Sequence, residues 1–207
     1  MTETSVTRTA AENPFDWSGG HPALDFVNTL DERPSPAPIE NLVTYADLVR
    51  FTGLAGIISP GEARHLRKLS GTGAALVARR GRDLREQFFE TLTMRGRRKK
   101  IPANALRDIT GAIREAHAAR VLVPCDGDAL ARYDWVSPHA LVVPLHACAL
   151  AIEDLLTTTD PCRIRKCGAS DCDVYFIDRS KGGRRHWCSM KNCGNREKQR
   201  RWRAETV

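Results

Sequence analysis

Apolar positions recur along most of this chain at the three- and four-residue stride of helices with one buried face. Residues 41–52 place Leu42, Ala46, Leu48 and Val49 on one side. Residues 73–95 repeat apolar groups at Leu76, Leu84, Phe88 and Leu92, which predicts a long helix with a single buried stripe. Ile109, Ile113 and Ala116 do the same in the next segment. Two starts are marked by chemistry as well as by period. Ser59-Pro60-Gly61-Glu62 carries the serine, early proline and third-position glutamate of a capped helix, and Ser137-Pro138 opens an apolar helix running to about Leu156.

The helical stride breaks in three places. Near the front, Gly19-Gly20-His21-Pro22 reads as a turn; Leu24, Phe26 and Val27 behind it are expected in the core, with Asp25 and Asn28 three apart on one side of a helical turn. A proline-rich loop follows at residues 34–38. In the middle, Val121-Leu122-Val123 and Tyr133-Asp134-Trp135-Val136 flank the turn-forming Asp126-Gly127-Asp128, the pattern of a short hairpin. The last break is permanent, because beyond Thr157-Thr158-Thr159-Asp160-Pro161 the apolar period is gone. The chain thus reads as a disordered N-terminus at 1–12, a mainly α bundle with a small β-hairpin insertion at 13–159, and a separate module at 160–207.

Charge sharpens that boundary. The net charge is +7, yet residues 1–159 hold 19 basic and 19 acidic groups, whereas residues 160–207 hold 13 basic and 6 acidic. A neutral body with a basic tail implies a negatively charged partner for the tail, most often nucleic acid. A tail that serves only solubility fits less well with a segment this rich in turn and helix signals. The longest apolar stretch, residues 140–152, is broken by Pro144 and His146 and is too short to span a bilayer. The first fourteen residues lack the apolar run of a signal peptide, so a cytoplasmic setting with reduced thiols is expected.

Five of the seven cysteines lie within 32 residues, as Cys162-x4-Cys167-x4-Cys172-x15-Cys188-x4-Cys193. A segment of this size cannot build a sufficient core, so it needs a metal, disulfides or a partner. Zinc takes four soft or nitrogen donors in a tetrahedron, and short cysteine pairs on two loops supply them. Reduced structural thiols would need a core to hide in, and a reducing compartment disfavours disulfides. An all-cysteine site keeps no open position for water, which makes the zinc structural, and its binding contributes roughly 10–16 kcal/mol in small metal-folded peptides. Spacing alone does not decide which four of the five cysteines bind.

The rest of the module surrounds that centre with positive charge. Val174 to Ile177 reads as a short strand, residues 178–185 as a basic turn, and residues 194–203 as a helix with Arg196, Arg200 and Arg203 along one face. Turn and helix, pinned by one metal, would form a concave phosphate-binding surface carried by Lys181, Arg184, Arg185, Arg196, Lys198, Arg200, Arg201 and Arg203. His186 is read as a group beside the ligands or a nucleic-acid contact, Trp187 as packing over the metal, and Trp202 as either packing or stacking.

These residues resemble a known family. Cys167-x4-Cys172-x3-Phe176-Ile177-Asp178-Arg179-Ser180-Lys181, followed by Arg184-Arg185-His186-Trp187-Cys188-Ser189-Met190-x2-Cys193-Gly194-Asn195-Arg196, is similar to the CGNR zinc finger, which takes its name from the tetrad at 193–196. Gly19-Gly20-His21-Pro22 and Leu24-Asp25-Phe26-Val27-Asn28-Thr29 resemble the helical ABATE domain of stress-induced bacterial transcription regulators. The resemblance implies one zinc ion on Cys167, Cys172, Cys188 and Cys193 in a zinc-ribbon-like module ending in a basic helix, leaves Cys162 out, and implies a DNA-binding role. Where the family pattern favours glycine after the second cysteine, this chain has Asp173, so a different loop geometry is expected there.

Other residues are weaker candidates. His21, Asp25 and Asn28 could form an effector pocket, although capping and backbone satisfaction explain the last two as well. His139 and His146 read as core or solvated residues, Cys125 and Cys148 as small buried hydrophobes, and residues 95–100 as a solvated basic loop, with a second phosphate contact as the lesser alternative. The expected function is a DNA-binding regulator that contacts duplex DNA, with a body that senses an effector or forms a homodimer. The alternatives are an RNA-binding or protein-docking zinc module, and an enzyme with its site near His21 and Asp25, which no nucleophile elbow or phosphate loop supports.

Overall fold

The computed structural model describes residues 13–126 and 129–205. The expected disorder at 1–12 and the tip of the central hairpin turn at 127–128 lie outside the described residues.

Helix α1 (Pro22–Val27) sits at the centre, with Ala23, Leu24, Phe26 and Val27 all buried. It starts where His21 accepts the Ala23 amide at its Nδ1, 3.2 Å away, with Pro22 in the first turn. Strands β1 (Leu30–Asp31) and β2 (Ile39–Glu40) pair antiparallel across the proline-rich loop. Helix α2 (Tyr45–Leu54) begins later than the apolar period suggests, because Thr44 and Asp47 cap it reciprocally and Leu42 is buried from the extended segment before it. Helix α3 (Pro60–Leu66) carries the Ser59–Glu62 capping box read from sequence.

Helix α4 (Thr72–Gly96) corrects one expectation. Its buried stripe runs through Ala74, Val77, Ala78, Leu84, Phe88 and Leu92, while Leu76 is 58% exposed. At 100° per residue, Val77 is seven positions from Leu84 and roughly 20° off its direction, whereas Leu76 is eight positions away and roughly 80° off. Gly81 belongs to the same stripe, and a Cβ there would meet Leu48 at 3.2 Å, so glycine lets α2 and α4 approach closely.

Helix α5 (Ala103–Ala118) buries Ile109 and Ala116, and the expected hairpin follows as antiparallel β3 (Arg120–Pro124) and β4 (Ala131–Trp135). Helix α6 (Val143–Thr158) starts well after Ser137-Pro138, which forms only a turn, with the Ala140 amide bonded to the Ser137 carbonyl at 3.0 Å. A start at 138 would bury Pro144 inside the helix, where it lacks a donor and clashes with the preceding turn; a start at 143 puts it in the first turn. His139 therefore precedes the helix and stacks on His65 at 3.8 Å, while His146 and Cys148 are buried as expected.

Beyond α6 come β5 (Ile164–Lys166) and β6 (Tyr175–Ile177), paired antiparallel, and the terminal helix α7 (Asn195–Glu205). Alternate residues of a strand face opposite ways. Tyr175 accordingly enters the core of the helical body, Ile177 packs against it, and Phe176 points into a second small core with Cys167, Cys188 and Cys193. One strand thus serves two cores and docks the module on the body. Among the described residues, no helix is long and apolar enough to cross a membrane.

Candidate metal centre and nucleic-acid face

The Sγ atoms of Cys167, Cys172, Cys188 and Cys193 all lie within 4.8 Å of one another. Cys172 and Cys188 are 3.8 Å apart and Cys188 and Cys193 are 3.6 Å apart. A tetrahedron with zinc–sulfur bonds of about 2.3 Å has edges of about 3.8 Å, so this spacing fits the ion. It is far beyond the roughly 2.0 Å of a disulfide. Cys162 is exposed and stands outside the cluster.

Electrostatics make the same point. The Cys167 thiol is pulled down by hydrogen bonds from Cys172 and then Cys188, whereas Cys172 is pushed up to about 12, first by its bond to Cys167, and Cys188 is raised by both neighbours. Cys167, Cys172 and Cys188 oppose one another's ionisation, and a dication is what relieves that opposition. The surrounding donors share in that neutralisation. The Cys188 amide donates to the Cys167 sulfur at 3.4 Å, and Arg196 Nη2 reaches the Cys193 sulfur at 3.3 Å.

The loops that carry the cysteines are closed by short-range bonds. The Cys172 amide donates to the Ala169 carbonyl at 3.3 Å and the Cys167 amide to the Val174 carbonyl at 2.8 Å. Asp173, where the family pattern favours glycine, pairs with Lys166. Gly168 is tightly covered, since a side chain there would run into the His186 ring. His186 is thus a packing neighbour of the first cysteine loop and no member of the sulfur cluster.

The basic turn is organised by Asp178, whose side chain is buried inward. Its Oδ1 accepts the Ser180 hydroxyl at 2.6 Å and the Ser180 amide at 2.9 Å, and its Oδ2 accepts the Arg185 amide at 2.8 Å. These bonds, the Ser180 hydroxyl foremost, hold the carboxyl below the usual range. Arg185 folds back over the Phe176 ring at 4.4 Å and donates to the Trp187 carbonyl at 3.0 Å and to that of Cys188. Lys181 and Arg184 are left on the outside.

Helix α7 is clamped by Asp171, which takes Arg196 at 2.8 Å and Arg200 at 2.6 Å. Arg200 also reaches Ser170 at 2.9 Å and Glu197 at 2.7 Å. The eight cations singled out from sequence therefore fall into two groups. Arg185, Arg196 and Arg200 are tied to the module itself, while Lys181, Arg184, Lys198, Arg201 and Arg203 are exposed, their side chains without a hydrogen-bond partner among the described residues.

His21, Asp25 and Asn28 do not converge on one pocket. His21 Nε2 lies 2.9 Å from Asp154, and with Nδ1 accepting the Ala23 amide the ring is the Nε2–H tautomer. Asp25 is buried, its Oδ1 accepting the Gly19 amide at 2.9 Å, and burial pushes its carboxyl up to about 7. Asn28 bonds to the backbone of Tyr175. Sequence reasoning missed Asp171 and Asp178 as organisers. Asp178-x-Ser180 was a readable signal, because an aspartate that accepts from the residue two positions on is a common turn former.

Two family models match the chain in tandem. ABATE, described as "Putative stress-induced transcription regulator", matches residues 20–159, and the CGNR zinc finger matches residues 163–205. No curated protein shows significant similarity to the chain.

Proposed function

This chain belongs to the ABATE family and ends in a CGNR zinc finger holding one structural zinc ion, and from there we propose that it is a transcription regulator whose finger grips duplex DNA by its phosphates. One observation carries the reading: Lys181, Arg184, Lys198, Arg201 and Arg203 stand exposed and unpaired on two elements pinned to one metal cluster. Arg185, Arg196 and Arg200 act as anchors that orient the turn and α7 for the other five. Pre-organised cations lose little entropy on meeting phosphates, and they carry affinity without reading sequence.

The helical body, on this proposal, senses an effector or pairs with a second copy. A groove of about 1060 Å³ beside His21, lined also by Arg120, Asp134 and Asp154, is the place for a small polar effector. We assign no catalysis to the chain. The zinc is closed by four thiolates, and His21, Asp25 and Asn28 are each engaged with neighbouring groups.

The test is duplex binding across salt concentration. Each phosphate neutralised contributes about −0.9 to the slope of log K against log salt, so five contacts give a slope near −4.5. Reversing Lys198, Arg201 and Arg203 to Glu should flatten the slope by about 2.7 with zinc content unchanged. No duplex binding at low salt, or binding indifferent to that reversal, would sink the proposal. Trp202, 68% exposed between Arg201 and Arg203, is the feature that favours a single-stranded RNA partner. Competition of duplex DNA against single-stranded RNA separates the two.

A further inference from the structure

The positive surface does not end with the finger. Between the C-terminal end of α4 and strand β5 runs a groove of about 1030 Å³. Its charged lining is Arg95, Arg97, Arg98 and Lys99 from the body and Arg165 and Lys166 from the finger, with no carboxylate among its lining residues. Lys166 is paired with Asp173; the other five have no ion-pair partner among the described residues. Arg165 donates to the Gly183 carbonyl at 3.4 Å, which joins the groove to the turn bearing Lys181 and Arg184. Leu92, Leu155 and Tyr175 behind the groove are at most 5% exposed, while Leu156 on its wall is 38% exposed, so the charged row lies beside an apolar strip.

A second observation is independent of the groove. Helix α4 ends with the Lys99 amide bonded to the Met94 carbonyl at 2.9 Å and the Arg98 amide to the Arg95 carbonyl at 3.0 Å. That bond pair needs a left-handed residue at its centre, a place where glycine leads because it has no Cβ. Here the residue is Arg98, at φ +54°. Positive charge at a helix C-terminus offsets the dipole, but the dipole amounts to only about half a charge, and four cations stand there. An arginine kept in a strained backbone position inside that row points to a use for its charge.

We propose that Arg95, Arg97, Arg98 and Lys99 of the body, with Arg165 of the finger, form a second phosphate track that continues the finger's and holds the same duplex. This rests on the nucleic-acid reading above. The body is then part of the DNA-binding surface, and the contact spans the seam between the two family segments.

The experiment uses the full-length, zinc-loaded protein with a random-sequence duplex across a salt series. Arg98→Gly suits the left-handed backbone, so it should raise Tm while flattening the salt slope by about 0.9, a pairing that a merely structural residue would not give. Arg97→Glu combined with Lys99→Glu should flatten the slope by about 1.8 and weaken binding at least tenfold at 0.1 M salt, with metal content and helicity unchanged. If both variants keep the parent slope while the reversal on α7 still flattens it, the second track is overturned and the finger's role stands. If the parent protein binds no duplex at low salt, both readings fail together.

Discussion

The Asn28 side chain completes the strand of Tyr175: its Nδ2 donates to the Tyr175 carbonyl and its Oδ1 accepts the Tyr175 amide, each at 3.0 Å. These residues lie 147 positions apart, and the pair of bonds is what an adjacent strand would have made. The body thus supplies the missing edge of β6, next to the Gly19 carbonyl, which accepts the Ile177 amide at 2.8 Å. Asn28→Ala leaves two buried backbone groups without partners, at about 1–3 kcal/mol each, so a loss of about 2–6 kcal/mol is expected. Asn28→Asp should be no better, because it removes the donor and sets a carboxylate against a carbonyl. Urea unfolding measures the loss. A cost under about 1 kcal/mol would show that the contact is incidental.

How much of this was legible in the sequence depended on distance along the chain. A zinc centre in the tail was legible because zinc demands a donor type and short-spaced cysteines betray it, whereas the choice of four among the five came from the resemblance to the CGNR finger. The capping box of α3 and the central hairpin were legible because each is a local rule satisfied within a few residues. The start of α6 was misplaced for want of one local constraint, the position of Pro144. Asn28 could be read as a polar residue with a buried duty, but its partner could not, because nothing near position 28 refers to position 175. The same holds for Arg85, which the helical stride would have put down as a solvated cation and which lies 2% exposed in the core.

Zinc removal should be felt by the whole chain and not only by its tail. Phe176 faces the sulfur cluster while Tyr175, its neighbour on β6, stands in the body's core, so loss of the ion loosens a strand shared by both. Calorimetry with and without a chelator should show the main transition falling in temperature, whereas an independent finger would leave it unmoved. Metal analysis should find one zinc per chain in the parent and in Cys162→Ser. Serine at 167, 172, 188 or 193 should reduce that content.

Arg85 holds the front of the body to α4. It makes a two-pronged pair with Glu40 at 2.7 and 2.6 Å, reaches Glu86 at 2.8 Å, and donates to the Thr29 hydroxyl at 3.1 Å. The pairing raises the guanidinium's pKa despite burial and lowers the Glu40 carboxyl despite its own. Arg85→Ala strands Glu40 and should cost about 3–5 kcal/mol, as breaking a buried pair does. Replacing both partners with leucine should cost less than the single change, because no buried charge is then left alone. Denaturant unfolding of the two variants beside the parent checks the ordering, and a double variant worse than Arg85→Ala would contradict it.

Asp25 should give the fold a pH dependence opposite in sign to that of its surface carboxylates. Burial raises its carboxyl from 3.8 to about 7, with Asp16 adding to the rise and the Gly19 amide opposing it. Below pH 3.8 both folded and unfolded chains hold the proton, and Asp25 contributes no slope. Between there and about pH 7 the folded chain keeps a proton that the unfolded chain has lost, so this group's contribution falls as pH rises and levels off above pH 7. Asp25→Asn keeps an oxygen for the Gly19 amide and removes the titration. It should therefore match the parent near pH 4 and exceed it at pH 8 by on the order of 2–4 kcal/mol. Because Asp25 steadies the Gly19 turn whose carbonyl holds Ile177, the gain at pH 8 should also appear as slower amide exchange at Ile177. Parallel stability profiles for the two proteins between pH 4 and 8 would show that the carboxyl ionises freely in place.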